Sequence, residues 1–298
     1  MHAVRSLGTL RNTDTMTAAQ PLAPRITLSD GTSIPQLGLG VYKVPAEQTA
    51  ELVAGAIELG YRHVDTAALY ANEAEVGEGV RASGVPRDEL YVTSKVWNDR
   101  HGVDETRAAF LDALDASGLD YFDLYLIHWP APRQDRYVEA WKALIALREQ
   151  GLVRSIGVSN FEPHHLQRLV DETGVAPVVD QVELHPWLPQ RDVRAAASAM
   201  GAAVESWSPL ARGRVLEPGS RGREVLDAIA ARHGKTPAQV ALRWHVQQGL
   251  IVIPKSTSLE RVAENADIFD FELTATDMAE IAQLETGERT GRHPDDLG

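Results

Sequence analysis

The 298-residue chain contains no cysteine. Disulfide cross-links, thiolate metal sites and cysteine nucleophiles are all excluded, and stability has to come from packing alone. No Asn-x-Ser/Thr acceptor occurs, and no apolar run approaches the roughly 18 residues of a membrane-spanning helix. Positive charge is scarce: 29 Lys and Arg stand against 42 Asp and Glu, a net charge of −13. No global field therefore favours nucleic acid or an anionic membrane, and the balance is that of a soluble cytoplasmic protein. His-Glu-x-x-His and Walker sequences are missing too, so a zinc or nucleoside-triphosphate site has no support.

Apolar residues make up 44% of the chain, enough for a large core. Asp30-Gly31, between Arg25-Ile-Thr-Leu and Thr32-Ser-Ile-Pro, predicts a β-hairpin. After a first apolar strand at Leu37–Val41 a pattern repeats, in which an amphipathic helix stops at a glycine and an apolar strand follows. The stops are Gly60, Gly84, Gly118, Gly151, Gly174, Gly201 and Gly249. Helical spacing is seen in the stripes Val138, Trp141, Ile145 and Val225, Leu226, Ile229. Pro163 and Pro237 sit where first turns belong, the latter behind Thr236 as N-cap. Eight strands alternating with helices predict an α/β fold, a (β/α)8 TIM barrel over residues 25–298 as a single domain. The hairpin stands outside that alternation and is placed to plug the barrel's amino-terminal end. Extra helices are expected after the seventh strand (222–233) and near the C-terminus (275–285). Residues 1–24 are small, polar and aperiodic, without the apolar centre of a signal peptide. They are expected to be a disordered extension, and Met16 is a second candidate start.

Three consecutive strands each end in an ionisable group. Tyr61–Val64 leads to Asp65, with Tyr70 in the following loop; Leu90–Ser94 ends in Lys95, and Asp123–Ile127 in His128. Asp65 alone is equally well a helix cap. In a barrel, however, the carboxyl ends of strands converge on one mouth. The other strands bring Tyr42 and Lys43, Trp97 and Asn98, Trp129, Ser159 and Asn160, Gln181, Glu183 and His185, Trp207 and Ser208, and Lys255 and Ser256. Aromatic walls with a few aimed polar groups describe a small-molecule pocket. Gly38-Leu-Gly40 lacks the third glycine of a dinucleotide fingerprint and reads as a strand. His164-His165 and most arginines between Arg212 and Arg223 read as solvated.

Taken in order, Asp65-Thr-Ala…Tyr70-x-Asn72-Glu73, Lys95, Asp123-Leu-Tyr-Leu-Ile-His128-Trp-Pro, Gly157-Val-Ser-Asn160-Phe and Ile253-Pro-Lys-Ser256 resemble the aldo-keto reductases, from about Arg25 to the C-terminus. The short loops after the fourth and seventh strands resemble the bacterial 2,5-diketo-D-gluconate reductase type. The resemblance implies NADPH-dependent reduction of an aldehyde or ketone to an alcohol, with Tyr70 as acid, Lys95 and Asp65 as its tuners and His128 as orienting group. It assigns Ser159, Asn160 and Gln181 to the carboxamide, Trp207 to the nicotinamide face, and Ser208 and Leu210 to the pyrophosphate. Lys255, Ser256, Thr257 and Arg261 fall to the 2′-phosphate, Glu264 and Asn265 to the adenine. Tyr42, Trp97, Trp129 and the tail from Thr286 wall the substrate pocket. Trp207 replaces a tyrosine of many members, and Ala71 a frequent glycine. Physically, a phenol titrates near pH 10, and a neighbouring ammonium is expected to bring it down. The resemblance also implies a monomer, and leaves open a non-catalytic NADPH-binding regulatory subunit, as in potassium-channel β-subunits.

Overall fold

The computed structural model describes residues 19–297. The expected disorder of residues 1–24 lies outside the described residues up to residue 18. From Ala19 onward the expectation is corrected, because the chain is fastened to the barrel. Leu22 N–H donates to the Gly60 carbonyl at 3.1 Å, and the buried Arg62 guanidinium donates to the carbonyl of Ala19.

Strands β1 (Arg25–Thr27) and β2 (Ser33–Pro35) pair antiparallel, with Ile26 opposite Ile34. Gly31 turns the chain at φ +85°, a region a side chain resists. Leu28 and Ile34 are buried against Tyr91, Leu124, Val178 and Ile251, near the amino ends of four barrel strands. Asp30 also accepts from Ser155 Oγ at 2.7 Å. The hairpin thus closes the bottom of the barrel.

The barrel strands are β3 (Leu39–Gly40), β4 (His63–Asp65), β5 (Tyr91–Val96), β6 (Phe122–Ile127), β7 (Val153–Ser159), β8 (Val179–Glu183), β9 (Ala203–Trp207) and β10 (Ile251–Val252). They lie side by side in chain order, all parallel. Parallel bridges from Leu37 to Val252 and from Gly40 to Lys255 close the sheet on itself. Gly38 belongs to this seam, where a Cβ would stand 2.5 Å from His63 Nδ1. The glycine is required by packing and not by a phosphate.

Around the barrel run α1 (Ala46–Glu58), α2 (Glu73–Ala82), α3 (Val103–Ser117), α4 (Tyr137–Glu149), α5 (Pro163–Thr173), α6 (Arg191–Ala199), α7 (Arg221–His233), α8 (Pro237–Gln247), α9 (Leu259–Ala266) and α10 (Ala275–Ala282). The extra helices are α7 and α10. Val138 and Trp141 of α4, and Leu226 and Ile229 of α7, are buried on the core side, as their spacing predicts. Thr236 caps α8 in a capping box with Gln239. Along the inner wall side chains alternate with period two. Tyr91, Leu124, Val179 and Ile251 make an apolar floor; Asp65, Lys95, Gln181 and Glu205 stand above it, on four of the strands.

Directly after the turn that carries Tyr70, Ala71 adopts φ 52° and ψ 39°. A left-handed alanine costs roughly 1–2 kcal/mol, part of which glycine returns as unfolded-chain entropy. Ala71→Gly should therefore raise unfolding free energy by about 1 kcal/mol in urea titrations. A lowered midpoint would show that the alanine methyl contributes packing that outweighs the strain.

Candidate active site

Lys95 and Asp65 form an ion pair that water does not reach: they are 0% and 2% exposed. Lys95 Nζ donates to Asp65 Oδ1 at 2.6 Å and to the Thr66 carbonyl at 2.9 Å. The second carboxylate oxygen accepts from Gln181 Nε2 at 2.7 Å, and the same amide nitrogen donates to Glu205 Oε2 at 3.0 Å. Burying two ions costs several kcal/mol each unless their bonding capacity is filled. Here strands β4, β5 and β8 fill it.

Tyr70 hangs over this pair, its ring centroid 5.1 Å from Lys95 Nζ and 5.6 Å from the His128 ring. Tyr42 lies 5.0 Å from the Tyr70 ring, and Trp97 5.0 Å from that of His128. His128 Nδ1 is buried without a partner, so Nε2 is the ring nitrogen left to face the cavity. Burial, then the charge of Lys95, holds this imidazole well below its ordinary range, and it is neutral. The phenol goes the other way. Tyr70 is pushed well above 10, by burial first and then by the Asp65 carboxylate. A phenol brought down by Lys95 is therefore not what the structure shows: the ammonium is committed to Asp65 and Thr66. The phenol keeps its proton throughout the neutral range.

The cavity above these groups holds about 350 Å³. Asp65, Tyr70, His128, Ser159, Asn160, Gln181, Trp207, Ser208 and Lys255 line it, together with Tyr42, Trp97 and Trp129. Trp207 donates its indole N–H to Asn160 Oδ1 at 2.8 Å, which sets the plane of the ring. Asn160 Nδ2 bonds the His128 carbonyl at 2.9 Å and Ser159 Oγ at 3.0 Å. From the tail, Arg292 and Leu297 reach the cavity. The buried carboxylate of Glu183 anchors that tail, accepting from Thr290 N–H at 2.6 Å and Gly291 N–H at 2.9 Å. Burial alone would raise Glu183, but these bonds and His185 hold it down at about 2.

Leu210, Ser256, Thr257, Arg261, Glu264 and Asn265 are outside the cavity wall. Ser258 caps α9, accepting from Arg261 N–H, while Ser256 Oγ accepts from Ser258 N–H at 3.0 Å and Arg261 Nε at 3.4 Å. Burial lowers the Lys255 ammonium, and the charges of Arg261 and Lys43 lower it further. Crowded cations at a helix N-terminus in an acidic protein fit a bound phosphate, which would relieve their repulsion. Of the arginine run, Arg212 lines the cavity, whereas Arg214 pairs with Glu288 at 2.6 Å and Arg223 with Asp227 at 2.8 Å.

Two features were not anticipated. Glu205 is wholly buried beneath Gln181, two residues before Trp207 on the same inward face. His165, expected in solvent, is 1% exposed. Its Nδ1 accepts from Glu162 N–H at 3.1 Å in a capping box. Nε2 then carries the proton, 3.2 Å from Asp295. His164, His165 and Asp295 meet there, but that tautomer leaves His165 no lone pair for a metal.

Known proteins match this arrangement. Residues 34–286 fit the model of the aldo/keto reductase family. An aldo-keto reductase from Mycolicibacterium smegmatis is 54% identical over 273 residues, 92% of this chain and 98% of the relative. Methylglyoxal reductase DkgA from Escherichia coli K12 is 50% identical over 273 residues, again 92% and 98% of the two chains. A mutant of Gox0644 crystallised with NADPH superposes with a TM-score of 0.87 at 47% identity, over 93% of this chain and 99% of that one.

Replacing Lys95 by Met keeps the length of the side chain and strands Asp65 in the core. Stability at pH 7 should drop by about 3–5 kcal/mol. The deficit should shrink as pH falls and the unpaired carboxyl takes up a proton, which is neutral and cheaper to bury. Denaturant titrations at several pH values measure both; a deficit that grows on acidification contradicts the pairing.

Proposed function

The chain belongs to the aldo/keto reductase family, and on that premise we propose that it reduces a small aldehyde or ketone to the alcohol with NADPH, in the manner of 2,5-diketo-D-gluconate reductases. One observation carries the reading: Tyr70 and His128 face an aromatic-walled cavity from above a buried Lys95–Asp65 pair. The NADPH complex of Gox0644 and the reductase name of DkgA support it. The bound cofactor supplies a hydride to the carbonyl carbon. Everything else falls to the chain. Neutral His128 donates from Nε2 to the carbonyl oxygen and fixes its position. Tyr70 gives that oxygen its proton, completing the alcohol, and the phenolate left behind is stabilised by the ammonium of Lys95. Solvent then returns the proton to Tyr70. Ser159, Asn160 and Gln181 hold the carboxamide, and Trp207 stacks on the nicotinamide. Ser208 and Leu210 contact the pyrophosphate. Lys255, Ser256, Thr257 and Arg261 take the 2′-phosphate, with Glu264 and Asn265 at the adenine.

The substrate lies against Tyr42, Trp97 and Trp129, and methylglyoxal is a fitting first test. A complete tetrad weighs against a non-catalytic subunit. No helix among the described residues is long and apolar enough to cross a membrane; the reading as a cytoplasmic monomer rests on the family resemblance.

Tyr70→Phe should bind NADPH as before and lose about 10²–10⁴-fold in turnover, the usual worth of a positioned acid. Retention of more than about a tenth of wild-type kcat would assign the proton to another donor. In the wild type the required form is the protonated phenol, and its raised pKa keeps that form present below the alkaline range. Reduction should accordingly be flat through neutrality and decline only as pH rises toward the folded phenol's value. His128, already neutral, adds no limb near pH 6.5.

Cofactor choice has its own test. A guanidinium grips phosphate with paired charge-assisted bonds. Arg261→Leu should weaken NADPH by roughly ten- to a hundredfold and leave NADH unchanged in fluorescence titrations. Equal losses for both would show that Arg261 does not read the 2′-phosphate.

A further inference from the structure

Glu205 is a buried carboxyl inside the barrel that the proposed reaction does not use. It is wholly buried on β9, beside Gln181 of β8 in register and beside the apolar Ile251 of β10. Among the described residues no cation is free to neutralise it. Lys95 is committed to Asp65 and Thr66. His63, facing it from β4 with Nε2 3.7 Å from Oε1, is neutral, since burial holds that imidazole at about 3. Asp65, the other charged neighbour, repels it. Burial first and then Asp65 push Glu205 up to about 8, so at neutral pH it is a carboxylic acid. Oε1 has no hydrogen-bond partner, whereas Oε2 is an acceptor.

That acceptor meets Gln181. The amide nitrogen has two hydrogens, one taken by Asp65 Oδ2 and the other by Glu205 Oε2. With Nε2 fully used, the amide cannot flip, and its oxygen is directed to the cavity that Gln181 lines. A carboxamide N–H donor of a nicotinamide finds there a fixed acceptor. We propose that Glu205 is a positioning residue of the reduction: through Gln181 it orients both the acceptor for the cofactor's carboxamide and the carboxylate that pairs with Lys95. This rests on the NADPH reading above, but cofactor binding without a carbonyl substrate tests it separately from turnover.

The test uses the full chain and three variants. Glu205→Leu removes the acceptor; Glu205→Asp keeps a carboxyl but withdraws it by one methylene; Glu205→Gln is a neutral isostere that keeps an oxygen acceptor. Leucine and aspartate should each weaken NADPH and NADH alike by about tenfold, the worth of one buried hydrogen bond at a charged network. Glutamine should rescue binding. In a Gln181→Leu background, Glu205→Leu should cost cofactor affinity nothing further, because Glu205 acts only through that amide. Stability supplies a readout that packing does not move. The folded wild type keeps a proton on Glu205 between about pH 4.5 and 8 that the unfolded chain has released, so its stability falls as pH rises through that window. The Gln variant should lack this slope. Wild-type affinity for both cofactors in the Leu and Asp variants, or additive losses in the Gln181→Leu background, would overturn the proposal. Should the Leu variant not fold, the Asp and Gln variants decide it. Weakened cofactor binding in a protein that turns over no carbonyl would leave Glu205's role standing and remove the reductase reading instead.

Discussion

A single buried ion pair, Lys95 with Asp65, stands at the centre of the mouth. Lys95 sits without solvent in a protein whose net charge is −13, and Asp65 and the Thr66 carbonyl both accept from it. Its neighbours adjust to that pair. His128 loses its proton affinity to burial and to the Lys95 charge, while Tyr70 and Glu205 retain their protons through burial and the nearby carboxylate. At neutral pH the pair is surrounded by a neutral imidazole, a phenol and a carboxylic acid. A site of this kind stabilises negative charge arising on a substrate oxygen more strongly than water would, because few mobile dipoles screen it.

The architecture explains why such a pair survives. The hairpin and the floor of Tyr91, Leu124, Val179 and Ile251 keep water out from below. Above, the inward residues of neighbouring strands meet within hydrogen-bond reach, so Gln181 bridges Asp65 and Glu205 from one position. The tail bound to Glu183 covers part of the mouth and brings Arg292 and Leu297 to the cavity. Farther out, Lys43, Lys255 and Arg261 repel one another locally although the chain as a whole is acidic. An anionic cofactor bound there would relieve that repulsion.

Much of this was legible in the sequence because its signals are local. Glycine stops and the apolar runs that follow them mark the strands, and an ionisable residue ending an apolar run marks Asp65, Lys95 and His128. What escaped depends on distant packing. Glu205 lies within Ala203–Trp207, where only alternation with Trp207 placed it on the inner face. The phenol's upward shift required knowing how its ring is buried and that Asp65 stands near it. His165 reads as solvated beside His164 until the tail residue Asp295 is seen against it. Residues 19–24 carry no periodicity, yet their backbone bonds to Gly60 and Arg62 fix them.

The most direct test of the account is a single-turnover measurement on the unmodified protein. The protein–NADPH complex is mixed with excess methylglyoxal, and loss of the reduced nicotinamide absorbance is followed together with formation of the hydroxy product. The account predicts one equivalent of cofactor oxidised per site and one equivalent of alcohol formed. Cofactor that binds tightly yet stays reduced, with methylglyoxal and with a panel of other aldehydes and ketones alike, would contradict it.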